Sequence, residues 1–141
     1  YIAVDRAYQA VATGGMNSSL RDAVRFGQLV LDKGKVKGKQ VLPESWMEHH
    51  LNVSAAETAA FKENVKYKND PWVAYKNMWW VLDTDKEEFA AVGIHGQVIY
   101  INRDANVTAA FFSSQPGASA AGYPPFHNKL RALRALAKKL K

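Results

Sequence analysis

Three short runs rich in β-branched and aromatic residues, at 89–92, 98–101 and 107–112, constrain the fold of this chain more than any other feature. The second run, Val98-Ile99-Tyr100-Ile101, is apolar on both alternating faces, as expected of a strand covered on both sides inside a layered domain. Asn102-Arg103-Asp104-Ala105-Asn106 supplies turn formers before the third run, which predicts an antiparallel hairpin. Between the first two runs stands Gly93-Ile94-His95-Gly96-Gln97, a polar, glycine-flanked interruption. Its glycines let a ligand approach the backbone closely, so we expect this stretch to line a cleft as part of a strand wall.

The rest of the chain supplies helices and one more strand. Ser19 with Asp22 forms a capping signal for a helix from Leu20 to about Lys33, stopped by Gly34, with Leu20, Ala23, Val24, Gly27, Val30 and Leu31 as its buried stripe. Residues 33–40 read as a polar turn or short hairpin. Pro43 opens a short helix to about Leu51, and Ser54 with Glu57 caps another from Ala55 to about Asn64. Met78-Trp79-Trp80-Val81-Leu82 is expected as the first strand of a meander, with its turn at 83–87. Neighbours on a strand face opposite ways, so Trp79 and Trp80 cannot share a face. Residues 113–122 read as a surface loop, and Leu130, Leu133, Leu136 or Ala137, and Leu140 mark a terminal amphipathic helix. The natural division is a mainly helical part, 1–71, and a β-meander plus helix, 72–141, together forming one piece of a larger domain. The expected class is α+β, an antiparallel sheet flanked by helices.

Charge and composition narrow the function. The 141 residues include no Cys, so no disulfide, thiol nucleophile or thiolate metal site exists, and the lack is compatible with cytoplasm or periplasm alike. No apolar run approaches the roughly 20 residues of a membrane span, and no cofactor motif occurs. The net charge of +6 resides in the terminal segment, where Lys129, Arg131, Arg134, Lys138, Lys139 and Lys141 stand without an acid. A solvated basic helix face explains this, and nucleic-acid binding is not expected. His49 and His50 are adjacent, about 100° apart on a helix, and cannot chelate one metal in the i, i+4 manner.

Three stretches carry a resemblance: Thr13-Gly14-Gly15-Met16-Asn17-Ser18-Ser19-Leu20-Arg21-Asp22-Ala23-Val24-Arg25-Phe26-Gly27, then Tyr75-Lys76-Asn77-Met78-Trp79-Trp80, then Gly93-Ile94-His95-Gly96-Gln97 with its following strand. In order and spacing the chain resembles the C-terminal third of the serine β-lactamase-like hydrolases, the penicillin-recognising superfamily of class C β-lactamases, family VIII esterases and 6-aminohexanoate-dimer hydrolases. The last branch is the most similar. The resemblance implies a β-lactamase/transpeptidase-like fold and a parent that hydrolyses an amide or ester of a small molecule through an upstream Ser. It also implies, as partners, the missing N-terminal part of the same protein or, to cover an unpaired sheet edge, a second copy.

Family members use Ser-x-x-Lys, Tyr-x-Asn and a strand carrying Lys-Thr-Gly. Here Ser18, Ser19, Ser45, Ser54, Ser113, Ser114 and Ser119 are followed three positions on by Arg21, Asp22, Glu48, Glu57, Pro116, Gly117 and Gly122, so no Ser-x-x-Lys exists and this chain alone is expected to be inactive. Tyr67-Lys68-Asn69 and Tyr75-Lys76-Asn77 match Tyr-x-Asn but follow Gly14-Gly15, whereas the family's catalytic Tyr precedes it; the second reads as the lead-in to the Trp79 strand. The resemblance puts Ile94, His95, Gly96 and Gln97 in the place of Lys-Thr-Gly, lending one backbone N–H to an oxyanion hole. Aligning His95 with the family's Lys points to Val98 as donor. Aligning Gly93 with its Gly points to Ile94, which keeps the strand free of an insertion. A histidine, with an ordinary pKa of about 6.5, lacks the permanent charge of Lys, which favours esters or linear amides over β-lactams. Equally, His95 can be a structural hydrogen-bonding residue. The alternative function is a non-catalytic interaction module using the basic terminal helix.

Overall fold

Alternation along the strands decides the layers. In the computed structural model, which describes residues 1–11, 14–49, 52–68, 70–119 and 124–141, the chain begins with α1 (Leu20–Leu31), a ribbon of β1 (Lys35–Val36) and β2 (Lys39–Gln40), α2 (Glu44–His49) and α3 (Ala55–Glu63). Strands β3 (Ala74–Lys76), β4 (Trp79–Asp83), β5 (Glu88–Val92), β6 (Val98–Asn102) and β7 (Val107–Phe111) follow, and α4 (Pro124–Leu140) closes the chain. The strands form one antiparallel meander in the order β3-β4-β5-β6-β7. On one face Trp79, Phe89 and Ile101 pack with Val30 and Leu31 of α1 and Met47 of α2. On the other, Leu82, Ala90, Val98 and Tyr100 pack with Phe126, Leu130 and Ala137 of α4. The expected α+β class, an antiparallel sheet between helices, is what the chain adopts.

Each helix is fixed by its ends and one contact face. Ser19 Oγ accepts the Asp22 N–H at 3.2 Å to start α1. The helix stops at Leu31, two residues before the expected end, because the chain turns left-handed at Lys33 (φ 51°) and Gly34 (φ 82°), whose N–H donates to the Leu29 carbonyl at 2.8 Å. Gly27 sits mid-helix, where glycine costs about 1 kcal/mol against alanine. A Cβ there would lie 2.3 Å from Thr108 Oγ1 of β7, so the small residue permits the close approach of helix to sheet. In α3 the capping box is complete, Ser54 Oγ accepting the Glu57 N–H while the Glu57 carboxylate accepts the Ser54 N–H at 2.7 Å. That helix buries none of its own residues, so the box and the Lys76–Glu57 ion pair at 3.1 Å hold it at the β3 edge.

Three expectations are corrected. The meander begins one strand earlier than Met78: β3 pairs with β4 through a two-residue turn in which both Asn77 (φ 50°) and Met78 (φ 71°) are left-handed, the geometry that matches strand twist. Tyr75-Lys76-Asn77 is therefore an edge strand and its turn, not a lead-in. In α1 Leu20 is exposed, one residue past the cap and beyond the sheet contact. In α4 the buried stripe is Phe126, Leu130 and Ala137, with Leu133 half-buried, while Leu136 and Leu140 are exposed. Trp79 and Trp80 do face opposite sides. His50, Leu51, Thr13, Asn69 and Gly122 lie outside the described residues.

Candidate functional site at the β5–β6 turn

The stretch expected as a strand wall is a hairpin turn. The β5–β6 ladder ends at the pair Val92 and Val98, the Gly93 N–H donates to the Gln97 carbonyl at 2.9 Å, and Ile94–Gly96 form a single 3-10 turn. His95 (φ 58°) and Gly96 (φ 82°) are both left-handed, and consecutive left-handed residues cannot continue a pleated strand. The turn projects from the end of the sheet. This geometry separates the two candidate donors. Val98 lies in β6 between β5 and β7 and is 1% exposed, closed off inside the sheet. The Ile94 N–H has no acceptor among the described residues, and Ile94 is 67% exposed.

His95 and Gln97 fasten the turn to the loop that follows β7. The His95 N–H donates to the Ala118 carbonyl at 3.1 Å, and its carbonyl accepts the Gln115 N–H at 3.2 Å. Nδ1 of His95 lies 2.8 Å from the Gln115 carbonyl oxygen; facing an acceptor, that nitrogen carries the hydrogen. The Gln97 amide repeats the pattern on Ser113, its Oε1 accepting the backbone N–H at 3.0 Å and its Nε2 donating to the carbonyl. Of the two readings of His95, the contacts are those of the hydrogen-bonding residue. Gly96 completes the joint: a Cβ there would fall 2.4 Å from Gln115 Nε2. Gln115 is 6% exposed, and neither atom of its amide has a partner among the described residues.

Ser113 and Lys129 stand together beside the turn. Lys129 Nζ donates to Ser113 Oγ at 2.9 Å, a Ser–Lys contact the sequence could not show because sixteen residues separate the pair. The same ammonium lies 4.8 Å from the centre of the Phe111 ring, a cation–π arrangement that uses the charge. Lys129 is thus the donor and Ser113 the acceptor, the reverse of a base activating a hydroxyl. Tyr75 packs on Trp80 with ring centres 4.6 Å apart. His49 is exposed at the end of α2. Among the described residues no three His, Asp or Glu side chains converge as a metal site would need, and no helix is long and apolar enough to cross a membrane.

A buried ionic cluster stands at the opposite end of β5. Glu88, 1% exposed, receives two bonds from Arg134 Nε and one from Nη2 at 2.6–2.9 Å, and the Tyr100 hydroxyl donates to it at 2.7 Å. Burial first, and then the Glu88 hydrogen bond, push the Tyr100 phenol above its ordinary range. The cluster pins α4 to the sheet. Lys129 is engaged with Ser113 and Lys141 with Asp104 at 2.7 Å, so three of the six basic residues of the terminal segment serve the fold.

Two hollows stand elsewhere, about 520 Å³ beside Arg103 and β1–β2 and about 530 Å³ under the end of α4, and both are lined by charges of mixed sign. At the turn itself is a smaller recess of about 190 Å³, whose lining includes Lys66, Tyr67, Trp72, Trp80, Val92 and Ile94. Sequence reasoning did not bring Tyr67 to Ile94. Nothing in the sequence marks Gln115.

The antiparallel meander thus lies between helix layers, with a turn braced by His95 and Gln97 at one end. The chain is 28% identical over 122 residues to 6-aminohexanoate-dimer hydrolase of Paenarthrobacter ureafaciens, a match covering 82% of this chain and 29% of that protein. Its structure is similar, with a TM-score of 0.74 and 28% identity, to a solved structure from Bacillus anthracis described provisionally as a 6-aminohexanoate-dimer hydrolase, covering 98% of this chain and 34% of that one. These likenesses support the resemblance to the β-lactamase-like serine hydrolases, on the side of the 6-aminohexanoate-dimer hydrolases. It spans about a third of the length of these relatives. No family model matches the chain.

Proposed function

We propose that this chain supplies the oxyanion side of a serine hydrolase acting on linear amides or esters of small molecules, with the nucleophile and its base provided by polypeptide outside it. The observation that carries this reading is the Ile94 N–H, without an acceptor among the described residues, in a residue 67% exposed on a turn that His95, Gly96 and Gln97 brace. A donor that needs no rearrangement before the carbonyl oxygen gains charge is the requirement of oxyanion stabilisation. His95, occupied with the Gln115 carbonyl, acts here as a positioning residue and not as a counter-ion for substrate. β7 ends the meander, so a strand from the missing part of the protein, or from a second copy, would complete the sheet there.

The test is a chimera in which this chain replaces the corresponding third of the Bacillus anthracis relative. The chimera is expected to take one fluorophosphonate on a Ser of the relative's portion and to hydrolyse a short-chain p-nitrophenyl ester, while the isolated chain does neither. Ile94 opens the 3-10 turn after Gly93, whose ψ of 169° is extended, so proline at 94 removes the N–H with little backbone cost. Ile94→Pro in the chimera should lower kcat by about 10²–10³, the usual effect of losing one oxyanion donor. Labelling of Ser113 in the isolated chain, or an unchanged kcat for Ile94→Pro, would overturn the assignment.

A further inference from the structure

The Ile94 N–H belongs to the peptide unit that Gly93 and Ile94 share, so whatever fixes Gly93 aims that N–H. Gln97 fixes it twice. Its carbonyl accepts the Gly93 N–H at 2.9 Å, and its side-chain stem lies so close that a Cβ on Gly93 would stand 3.1 Å from Gln97 Cβ and 3.4 Å from Cγ. The Gln97 amide is in turn bound at both ends to the backbone of Ser113. The β6–β7 ladder ends at the pair Val98 and Phe111, so no strand pairing holds Ser113 two residues further on. Its hydroxyl is held instead from α4, accepting a bond from Lys129 Nζ at 2.9 Å. Lys129 is half-buried, its ammonium 4.8 Å from the centre of the Phe111 ring, and it makes no ion pair with any described carboxylate. Withdrawing an ammonium from water with no anion beside it costs free energy. What offsets the cost here is a charge-assisted hydrogen bond, about twice as strong as a neutral one, on the residue that anchors Gln97.

We propose that Lys129 is a positioning residue for the oxyanion donor: through Ser113 and Gln97, its ammonium holds the Gly93–Ile94 peptide unit in the orientation that presents the Ile94 N–H. The assignment rests on Ile94 being that donor. Lys129 is not placed among the groups that meet the substrate. The bonds of His95 to Gln115 and Ala118 tie the turn to the loop after β7, whereas Lys129 ties it to α4. Oxyanion stabilisation depends on donors set in place before the charge develops, and a displacement of about 1 Å costs about 10²-fold in rate. A donor freed to swing spends only part of its time aimed at the carbonyl oxygen. Because that interaction strengthens in the transition state, the loss falls on kcat and not on KM.

The experiment has one arm in the isolated chain and one in the chimera. In the isolated Lys129→Met chain, amide hydrogen exchange at Gly93 and Ser113 is expected to run about five- to thirty-fold faster than in the unaltered chain, the effect of one charge-assisted hydrogen bond discounted for partial exposure. The amides of Phe89 and Ile101, in the centre of the sheet, should keep their rates. In the chimera Lys129→Met should lower kcat for the short-chain ester by a similar factor with KM unchanged, and Lys129→Arg should recover most of it. In an Ile94→Pro background the Lys129→Met loss should vanish, because the group it positions is gone. Lys138→Met removes the same charge from an exposed position of α4 and should change neither reading. Acceleration at Phe89 and Ile101 equal to that at Gly93, an unchanged kcat for Lys129→Met, or a loss that persists in full beside Ile94→Pro would each overturn the proposal. The two readings fail separately. Faster exchange at Gly93 with an unchanged kcat for Ile94→Pro refutes the donor, and with it what Lys129 positions, but not the brace; a lower kcat for Ile94→Pro with no response to Lys129→Met refutes only the role of Lys129.

Discussion

Replacing Gly96 by Ala tests whether the β5–β6 turn is as tightly specified as its contacts imply. Two costs add. At φ 82° an L-residue is in the left-handed region, worth about 1–2 kcal/mol against it. The new Cβ would also stand 2.4 Å from Gln115 Nε2, 2.5 Å from Cδ and 2.9 Å from Oε1, where carbon contacts are comfortable only near 3.5–4.0 Å. Gln115 has little room to yield, since its backbone is held at both N–H and carbonyl by His95 and its side chain is buried. Overpacking of this kind costs about 1–3 kcal/mol. The sum is about 2–5 kcal/mol, a large share of the roughly 5–15 kcal/mol that keeps a domain folded. Urea unfolding followed by tryptophan fluorescence should show a midpoint lower by about 1–2 M. Gly117→Ala, with open space around its Cβ and an ordinary φ, is the control and should stay within about 0.5 kcal/mol. Adding Gln115→Ala to Gly96→Ala should recover the overpacking part and leave the backbone part. A Gly96→Ala midpoint equal to that of the control, or a double variant no better than the single, would refute the reasoning.

Two further outcomes follow from the charged contacts. Arg134→Met leaves the Glu88 carboxylate buried without its partner, which should cost about 2–4 kcal/mol in urea unfolding. The value is set below the usual figure for a broken buried pair because the guanidinium side chain is itself 41% exposed, and Arg134→Lys, lacking the two-pronged geometry, should recover only part. At α3, the Ser54 backbone N–H, then Lys76 and the Ser54 hydroxyl, hold the Glu57 carboxyl down from its ordinary 4.5 to about 2. A depressed carboxyl stabilises fully above its unfolded pKa and loses that contribution as pH falls through the folded value. The amide signals of Ser54 and Glu57 should therefore titrate with a midpoint near 2; a midpoint near 4.5, or the same transition in Glu57→Gln, would count against the capping box.

The layers were legible because period-two alternation and the length of the apolar runs act directly on burial. Val98 to Ile101 needs two covered faces, and α1 and α4 supply them. Caps were legible for the same reason, as Ser54 and Glu57 satisfy each other within three residues. β3 was missed because Ala74-Tyr75-Lys76 is a three-residue edge strand whose turn uses Met78 in a left-handed conformation that side-chain preference does not favour. Leu136 and Leu140 were misplaced because helical spacing alone cannot say which of two adjacent stripes meets the sheet. The ion pair of Arg134 with Glu88, forty-six residues away, selects the face carrying Ala137.

The candidate site was found from its glycines and misread for the same residues. Gly93 and Gly96 signal a special backbone, but glycine fits both a close approach along a strand and a left-handed turn, and nothing local separates the two. What separates them is long-range: His95 and Gln97 have their partners at Gln115, Ala118 and Ser113, on the far side of the β6–β7 hairpin. Those bonds bend the chain out of the ladder at Val92 and leave the Ile94 N–H without an acceptor among the described residues. Tyr67 shows the converse. As part of Tyr67-Lys68-Asn69 it matched a short catalytic pattern in the wrong order, yet folding brings its ring to the recess beside Ile94. A motif read along the chain assigns a residue by its neighbours in sequence, whereas the chemistry open to Tyr67 is set by Trp80, Lys66 and Ile94, its neighbours in space.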